Sequence, residues 1–289
     1  MSAAAADRLA QRVIVVTGAA GGFGGGVVEL AAARGAMVVG ADVNEAALSA
    51  ALQPLAERGL SVAWKVADVT KLADMQALVA FTAEKFGRVD VLVNNAGVMP
   101  LAFYSDHAKA AAAWNTAIDV NIKGVVNGIA AVHDLMLAQG RGHVVNVSST
   151  YGTLGSEGSG VYSATKSAVN VLSESLRVET QGRIKVTIVR PSGVPTTGLG
   201  STMINPRASV GNIGHHGKAA GVGVPQLLAG TLPPDQADPE SITYFSLSAR
   251  DVAEAIVHVI DQPWGVSISD ITVRASGEPY ILLPRQESR

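Results

Sequence analysis

The chain has 289 residues, 48% of them hydrophobic and 16% charged, with a formal net charge of −2. This is a globular composition long enough for a sizeable core, and the absence of any basic run excludes the electrostatic footprint of a nucleic-acid or anionic-membrane partner. No cysteine is present, which excludes disulfides, thiolate-bound zinc and a thiol nucleophile and fits a reducing, cytoplasmic setting.

Met1–Ala10 is alanine-rich but is interrupted by Asp7 and Arg8, so it does not read as a signal peptide. Val13–Thr17 reads as a buried strand, followed by a glycine turn and a helix to about Arg34. Strands at Ala36–Ala41, Ser61–Val66 and Val89–Asn94 alternate with helices at Glu45–Glu57 and Leu72–Phe86. One long helix is expected from about Ala110 to Gln139. Next come a strand at His143–Ser148, a helix at Val161–Thr180 and a strand at Ile184–Val189. Val194–Ser248 is rich in Gly, Pro, Ser and Thr, with little helical or strand period, and a loop of that length is usually functional. A helix at Ala249–Asp261, N-capped by Ser248, and a last strand at Ser267–Ala275 complete the pattern. No run of about 18 apolar residues suggests a membrane span.

Strands apolar on both faces and separated by helices imply a doubly wound parallel sheet covered on both sides. Its ligand crevice should lie at the carboxyl ends of the strands. The expectation is a single α/β domain over residues 1–289, about seven strands, with a substrate loop inserted at 194–248.

The turn Thr17-Gly18-Ala19-Ala20-Gly21-Gly22-Phe23-Gly24 joins the first strand to the first helix. Glycines there allow a tight turn and let a pyrophosphate approach free N–H groups at the helix N-terminus. Asp42, in Gly40-Ala41-Asp42-Val43-Asn44, follows the second strand. Its carboxylate can accept from both ribose hydroxyls and would repel a 2′-phosphate, and no basic residue lies beside it, which points to NAD. A helix N-cap role competes for Asp42, and Asn44 could equally fill it. Asp68 and Val69 close the third strand, where an adenine edge would lie. Asn94-Asn95-Ala96-Gly97 ends the fourth. Tyr162 and Lys166, four apart on a helix, share a face. An ammonium there lowers the phenol's pKa and makes a proton donor and acceptor for an alcohol/ketone pair.

The joint occurrence of Thr17-Gly18-x-x-x-Gly22-x-Gly24, Asn94-Asn95-Ala96-Gly97, Ser149 and Tyr162-x-x-x-Lys166 resembles the classical short-chain dehydrogenase/reductase family. The match spans about Arg12–Pro191 and Thr196, and returns at Asp251–Val259. The resemblance implies a single-domain Rossmann fold that uses a nicotinamide cofactor without a metal. It implies Tyr162 as general acid/base, Lys166 binding the nicotinamide ribose, Ser149 bonding the carbonyl oxygen and Asn121 in a proton relay. Ser149 is chosen over Ser148 by the family's spacing to the tyrosine. Gly18, Gly22, Phe23, Gly24, Asp42, Val43, Asp68, Val69, Asn95, Ala96, Gly97, Val194 and Thr196 would contact the cofactor. Two stretches depart from the family pattern. Ser192 stands where glycine is common after Pro191, and Ala275-Ser276-Gly277-Glu278-Pro279 replaces a glycine-rich ending.

No metal site is expected. His215 and His216 are adjacent with no carboxylate nearby, and His107, His133, His143 and His258 are isolated. Trp64, Trp114 and Trp264 read as core or subunit-contact residues. The expected function is NAD-dependent interconversion of a secondary alcohol and a ketone. The small-molecule substrate is expected to be mostly apolar, an aromatic or alicyclic ketone or alcohol, met by Val98, Tyr151, Leu154, Leu199, Met203, Ile204, Val210, Ile213, Leu227 and Leu228; the competing reading is that the loop leucines only pack the loop. By resemblance the helices at 110–139 and 161–180 associate into a homo-oligomer, a tetramer, through residues such as Ala112, Ile118, Val125, Ile129, Ala168 and Leu172. The rivals are a nucleotide-binding regulator of the same fold without catalysis, which would lack Tyr, Lys or Ser, and a nucleotide-sugar epimerase or dehydratase, which is usually longer with a separate C-terminal domain.

Overall fold

Seven strands form one parallel sheet: β1 (Val13–Thr17), β2 (Met37–Asp42), β3 (Val62–Val66), β4 (Val91–Asn94), β5 (Gly142–Val147), β6 (Ile184–Pro191) and β7 (Asp270–Val273). The computed structural model describes residues 7–212 and 217–279. The strand order is β3-β2-β1-β4-β5-β6-β7. Every residue of β1, β4 and β5 is buried, as the apolar runs require of a sheet covered on both faces. The order reverses between β1 and β4, so their carboxyl ends diverge and open the crevice there.

Helices α1 (Gly22–Ala33), α2 (Glu45–Glu57) and α3 (Leu72–Phe86) cross between the first four strands. The α1 face buries Val27 and Val28 against Ile256 and Ile260, and α3 buries Met75 and Leu78 on the opposite side. Strand and helix ends differ from the sequence reading by a residue or two, the usual scatter of such boundaries.

Three stretches differ in substance. The single helix expected over 110–139 is α4 (His107–Ile118) and α5 (Gly124–Ala138), joined by a π-helical turn at Asp119–Lys123. A π turn adds one residue without ending the helix, so apolar spacing does not announce it. Gly124 just after it lets the helix close on Val69, where a Cβ would stand 2.8 Å from Val69 Cγ2.

After α6 (Gly160–Glu179) and β6, the stretch expected to lack regular structure contains 3₁₀ turns at Gly198–Thr202 and Pro206–Asn212. It also contains α7 (Gly217–Ala229) and the short α8 (Pro234–Ala237). Glycines and Pro225 inside α7 oppose a helix by propensity. Tertiary packing offsets this at Gly223, where the Phe245 ring fills the place of a side chain and a Cβ would meet it at 2.2 Å. Then α9 (Ala249–Ile260) starts at Ser248 as expected. Ser248 Oγ accepts from Asp251 N (3.2 Å) and Asp251 Oδ2 accepts from Ser248 N (2.7 Å), a reciprocal cap. Finally, β7 is only four residues long at the sheet edge, within the nine expected. No described helix is long and apolar enough to cross a membrane.

Candidate active site

The β1–α1 turn is held by backbone contacts. Gly18 has φ +66°, and a Cβ on it would stand 2.9 Å from Ala96 Cα. Gly24 is closer still, its Cβ position lying 2.2 Å from Gly18 O. Gly24 therefore packs the turn and does not line the crevice. Gly22 (φ +53°) has open space where a side chain would project. Gly21 caps α1 without a side-chain bond, so the first N–H groups of the helix are uncapped by any side chain.

Thr17 anchors this turn to β4, a role the sequence reading did not give it. Its Oγ1 accepts from Asn95 N and Ala96 N at 3.1 Å each. Asn95 Nδ2 in return donates to Thr17 O (2.9 Å) and Gly18 O (3.2 Å). Asn94 turns the other way. It donates to Asn146 Oδ1 (2.8 Å), and Asn146 donates to Ser173 Oγ (2.8 Å), a buried polar chain tying β4, β5 and α6.

Asp42 lies at the crevice end of β2. Its Oδ2 accepts from Ala20 N (3.3 Å) and its Oδ1 from Asn44 N (3.0 Å). The cap of α2 is Asn44, whose Oδ1 accepts from Ala47 N (3.0 Å), so Asp42 is not spent on that helix. No basic side chain pairs with Asp42 among the described residues. Exposed Val43 forms the rim beside it. Asp68 is partly occupied: Thr70 donates from Oγ1 (2.7 Å) and N (3.0 Å), and Lys71 lies 3.3 Å away. The Thr70 bond is the main reason its carboxyl titrates below the usual range. Phe23, Val69, Ala96 and Gly97 also line the crevice.

Ser149, at the end of β5, and Tyr162 and Lys166, on α6, meet on one wall. Ser148 Oγ donates to Lys166 O (3.1 Å), while Ser149 Oγ accepts from Tyr151 N (3.2 Å) and reaches Pro191 O (3.5 Å). Lys166 Nζ donates to Val147 O (2.9 Å). Tyr151 crosses Tyr162 edge-on, with ring centroids 5.4 Å apart.

The charge state differs from the sequence expectation. Burial pushes the Tyr162 phenol up to about 12, only partly opposed by Ser149. Burial also pulls Lys166 down to about 8. Burial, which penalises the charged form of each group, is the leading cause of both shifts.

Asn121 sits inside the π turn and is buried, but it does not line the crevice. Its Oδ1 accepts from Val98 N and its Nδ2 donates to Val98 O, both at 2.9 Å, and also to Thr165 Oγ1 (3.0 Å). It clips the Val98 loop to α6. Val194 lines the crevice; Thr196 does not, being turned outward, and Thr197 takes its place.

Residues of 194–209 and 220–228 close over this wall, giving a cavity of about 980 Å³. Leu199, Met203, Val224 and Leu228 line it, together with Met99 and Leu101, which pack with Met203. Leu154, Ile204 and Leu227, expected there, do not line it. The side chain of Val210, and Ile213, His215 and His216, lie outside the described residues. His143 is a core histidine, its Nε2 2.9 Å from Thr187 Oγ1. Trp264 lies between Arg12 and Arg141, stacked at 4.6 and 4.8 Å.

Comparison with known proteins agrees with this architecture. The family model "short chain dehydrogenase" matches residues 12–205. An uncharacterized oxidoreductase of Staphylococcus saprophyticus is 38% identical over 193 residues, covering 66% of this chain and 77% of its own. A short chain dehydrogenase/reductase from Burkholderia phymatum, solved in complex with NAD, is 29% identical with a TM-score of 0.71, over 92% of this chain and 89% of that one. A closed form of serine dehydrogenase, complexed with NADP+, is 26% identical with a TM-score of 0.74, over 96% and 100%. The chain belongs to the short chain dehydrogenase family and is an oxidoreductase of that family.

The residues present fit a nicotinamide cofactor. A side chain at Gly18 or Gly24 would not fit the glycine turn, the N-terminus of α1 carries no side-chain cap, and a carboxylate with no basic partner among the described residues stands at the next strand end.

Proposed function

We propose that this protein uses NAD to interconvert a secondary alcohol and a ketone of apolar, uncharged character. One observation carries the reading: Ser149, Tyr162 and Lys166 share one wall of a cavity whose other end is the glycine turn and Asp42. The turn and the α1 N-terminus would hold the pyrophosphate and Asp42 the ribose hydroxyls. Asp68 and Val69 would flank the adenine, and Asn95–Gly97, Lys166 and Val194 the remainder. When bound, a nicotinamide supplies the hydride acceptor or donor and, oxidised, a positive charge.

The chain's own residues would handle the proton. Ser149 Oγ donates to the substrate oxygen. Tyr162 Oη gives that oxygen a proton in reduction and removes one in oxidation. Burial raises the Tyr162 pKa and so favours its protonated, proton-donating form. Lys166, fixed to Val147 O, presents its ammonium to the ribose and to the phenol. Asn121 acts through Val98, shaping the wall.

The preference for NAD rests on Asp42, which would repel a 2′-phosphate. Among the described residues, the half of the cavity under α7 presents Leu199, Met203, Val224 and Leu228 and no charged side chain, which favours neutral substrates. Exposed Val171 (70%) and Val178 (74%) on α6, with Ile118 on α4, support a homo-oligomer, which we propose is a tetramer. Val125 is buried, and Ile129 packs on the sheet side.

The test is NADH absorbance with a panel of secondary alcohols, run with NAD and with NADP. Turnover of neutral alcohols with NAD, and lost discrimination in Asp42→Ala, is the expected result. Preference for NADP, or activity confined to carboxylates and phosphates, would overturn it.

A further inference from the structure

The two stretches in which this chain departs from its family's pattern meet in the fold. Ser192, at the end of β6, donates from its backbone N to Val273 O (3.0 Å) and from Oγ to Glu278 Oε2. The other oxygen of Glu278 pairs with Arg274 Nη1 (2.6 Å), and the Glu278 side chain is only 5% exposed. Gly277 presses this segment onto Thr243 and Tyr244, near the end of the lid, the 194–248 stretch that covers the cavity. Its N donates to Tyr244 O (2.9 Å), and a Cβ there would stand 2.4 Å from Thr243 O. Glu278 thus stands behind Ser192-Gly193-Val194, and those three residues line the cavity.

We infer that Glu278 is a positioning residue: through Ser192 it holds the 192–194 wall in the shape that grips the cofactor. This rests on the cofactor reading above. A Ser-Gly pair with no such anchor would order only when the ligand arrives, and that entropy would be lost from affinity. A carboxylate is also costly in so dry a place. Burial raises its pKa against the pull of Ser192 and Arg274, so the bond is kept in spite of solvation. The alternative is that Glu278 merely ties the end of the chain to the sheet.

The two roles separate in Glu278→Ala, Glu278→Gln, Ser192→Gly and the Ser192→Gly/Glu278→Ala double variant. NAD affinity is measured by calorimetry, amide exchange at 192–194 in the free protein, and melting temperature alongside. Positioning predicts roughly tenfold weaker NAD binding in Glu278→Ala, the size of one charge-assisted hydrogen bond. It also predicts faster exchange at 192–194 and a smaller change in kcat at saturation. Glu278→Gln keeps an acceptor for the hydroxyl and should recover most of the affinity. The double variant should bind no worse than Ser192→Gly alone, because both break one contact. A lower melting temperature with unchanged affinity and exchange would overturn the inference, and so would additive losses in the double variant. Exchange in the free protein reads the contact without any ligand. If Glu278→Ala loosens 192–194 but the unaltered protein binds neither NAD nor NADP, it is the cofactor reading that falls.

Discussion

The two ends of the cavity are built from different materials. At the glycine turn the wall is backbone. Gly18 and Gly24 touch neighbouring main chain, Thr17 and Asn95 exchange hydrogen bonds with it, and Asp42 is set by two amides. Under the lid the wall is side chain, with Leu199, Met203, Val224 and Leu228 on segments held by long-range packing such as Gly223 against Phe245. A surface made of backbone demands particular residue types at fixed spacing. A surface made of apolar side chains accepts many sequences of suitable size.

The largest expected effect lies at the seam between the two ends. Tyr162→Phe keeps the ring and its edge-on contact with Tyr151 but removes the oxygen. Turnover should fall about 10²–10⁴-fold with nicotinamide binding retained. Single-turnover kinetics beside a binding titration will separate the two, and near-normal turnover would remove Tyr162 from its role.

Next comes the buried charge on the same wall. Lys166 is pulled from 10.5 to about 8 in the fold, so between those values the unfolded chain binds more protons and stability rises with pH. Tyr162 is raised from 10.0 to about 12, so the folded state holds the extra proton there and stability falls as pH climbs through that window. Lys166→Met should remove a rise on the order of 3 kcal/mol between pH 8 and 10.5. Lys185, also near 8, will leave a smaller one. Denaturant titrations at a series of pH values give the slopes. Identical slopes in both proteins would mean the ammonium is better solvated than its burial implies.

Glycines offer the most direct contrast. Gly24→Ala places a Cβ 2.2 Å from Gly18 O and should cost roughly 1–3 kcal/mol of stability. Gly200→Ala in the lid meets nothing nearer than 3.7 Å and should stay within about 0.5 kcal/mol of the parent. Comparable losses at both would erase the distinction drawn above.

That distinction also explains what the sequence could disclose. The sheet, the glycine turn and the Tyr162/Lys166 pair were readable because short-range spacing determines them. The choice of Ser149 over Ser148 rested on spacing alone; in the fold Ser148 Oγ bonds Lys166 O, and Ser149 Oγ bonds Tyr151 N and Pro191 O. The π turn around Asn121 was hidden because one inserted residue leaves the apolar pattern intact. α7 was hidden because its glycines and Pro225 argue for coil, and only Phe245, some twenty residues on, explains Gly223. Thr17 was passed over as part of a glycine motif, although its hydroxyl joins two strands. The sequence pairs Lys166 with Tyr162 and suggests a lowered phenol pKa. Burial, which has no local signature, pushes it up instead.

The smallest effect tests the lid itself. Met203 lines the cavity and packs against the cluster of Leu101 and Tyr162, while its backbone N bonds Gly200 O. Shortening it to alanine leaves that main-chain turn intact and enlarges the space beside the reacting oxygen. One or two methylenes in an apolar pocket discriminate by about 1–3 kcal/mol, so bulkier alcohols should gain up to tens of fold in relative kcat/KM over small ones. NAD affinity should hardly move, because the cofactor end is set by backbone that Met203 does not touch. A change in NAD affinity larger than the change in substrate ranking would mean the two ends are mechanically one, and that the lid contributes to the cofactor site as much as the glycine turn does.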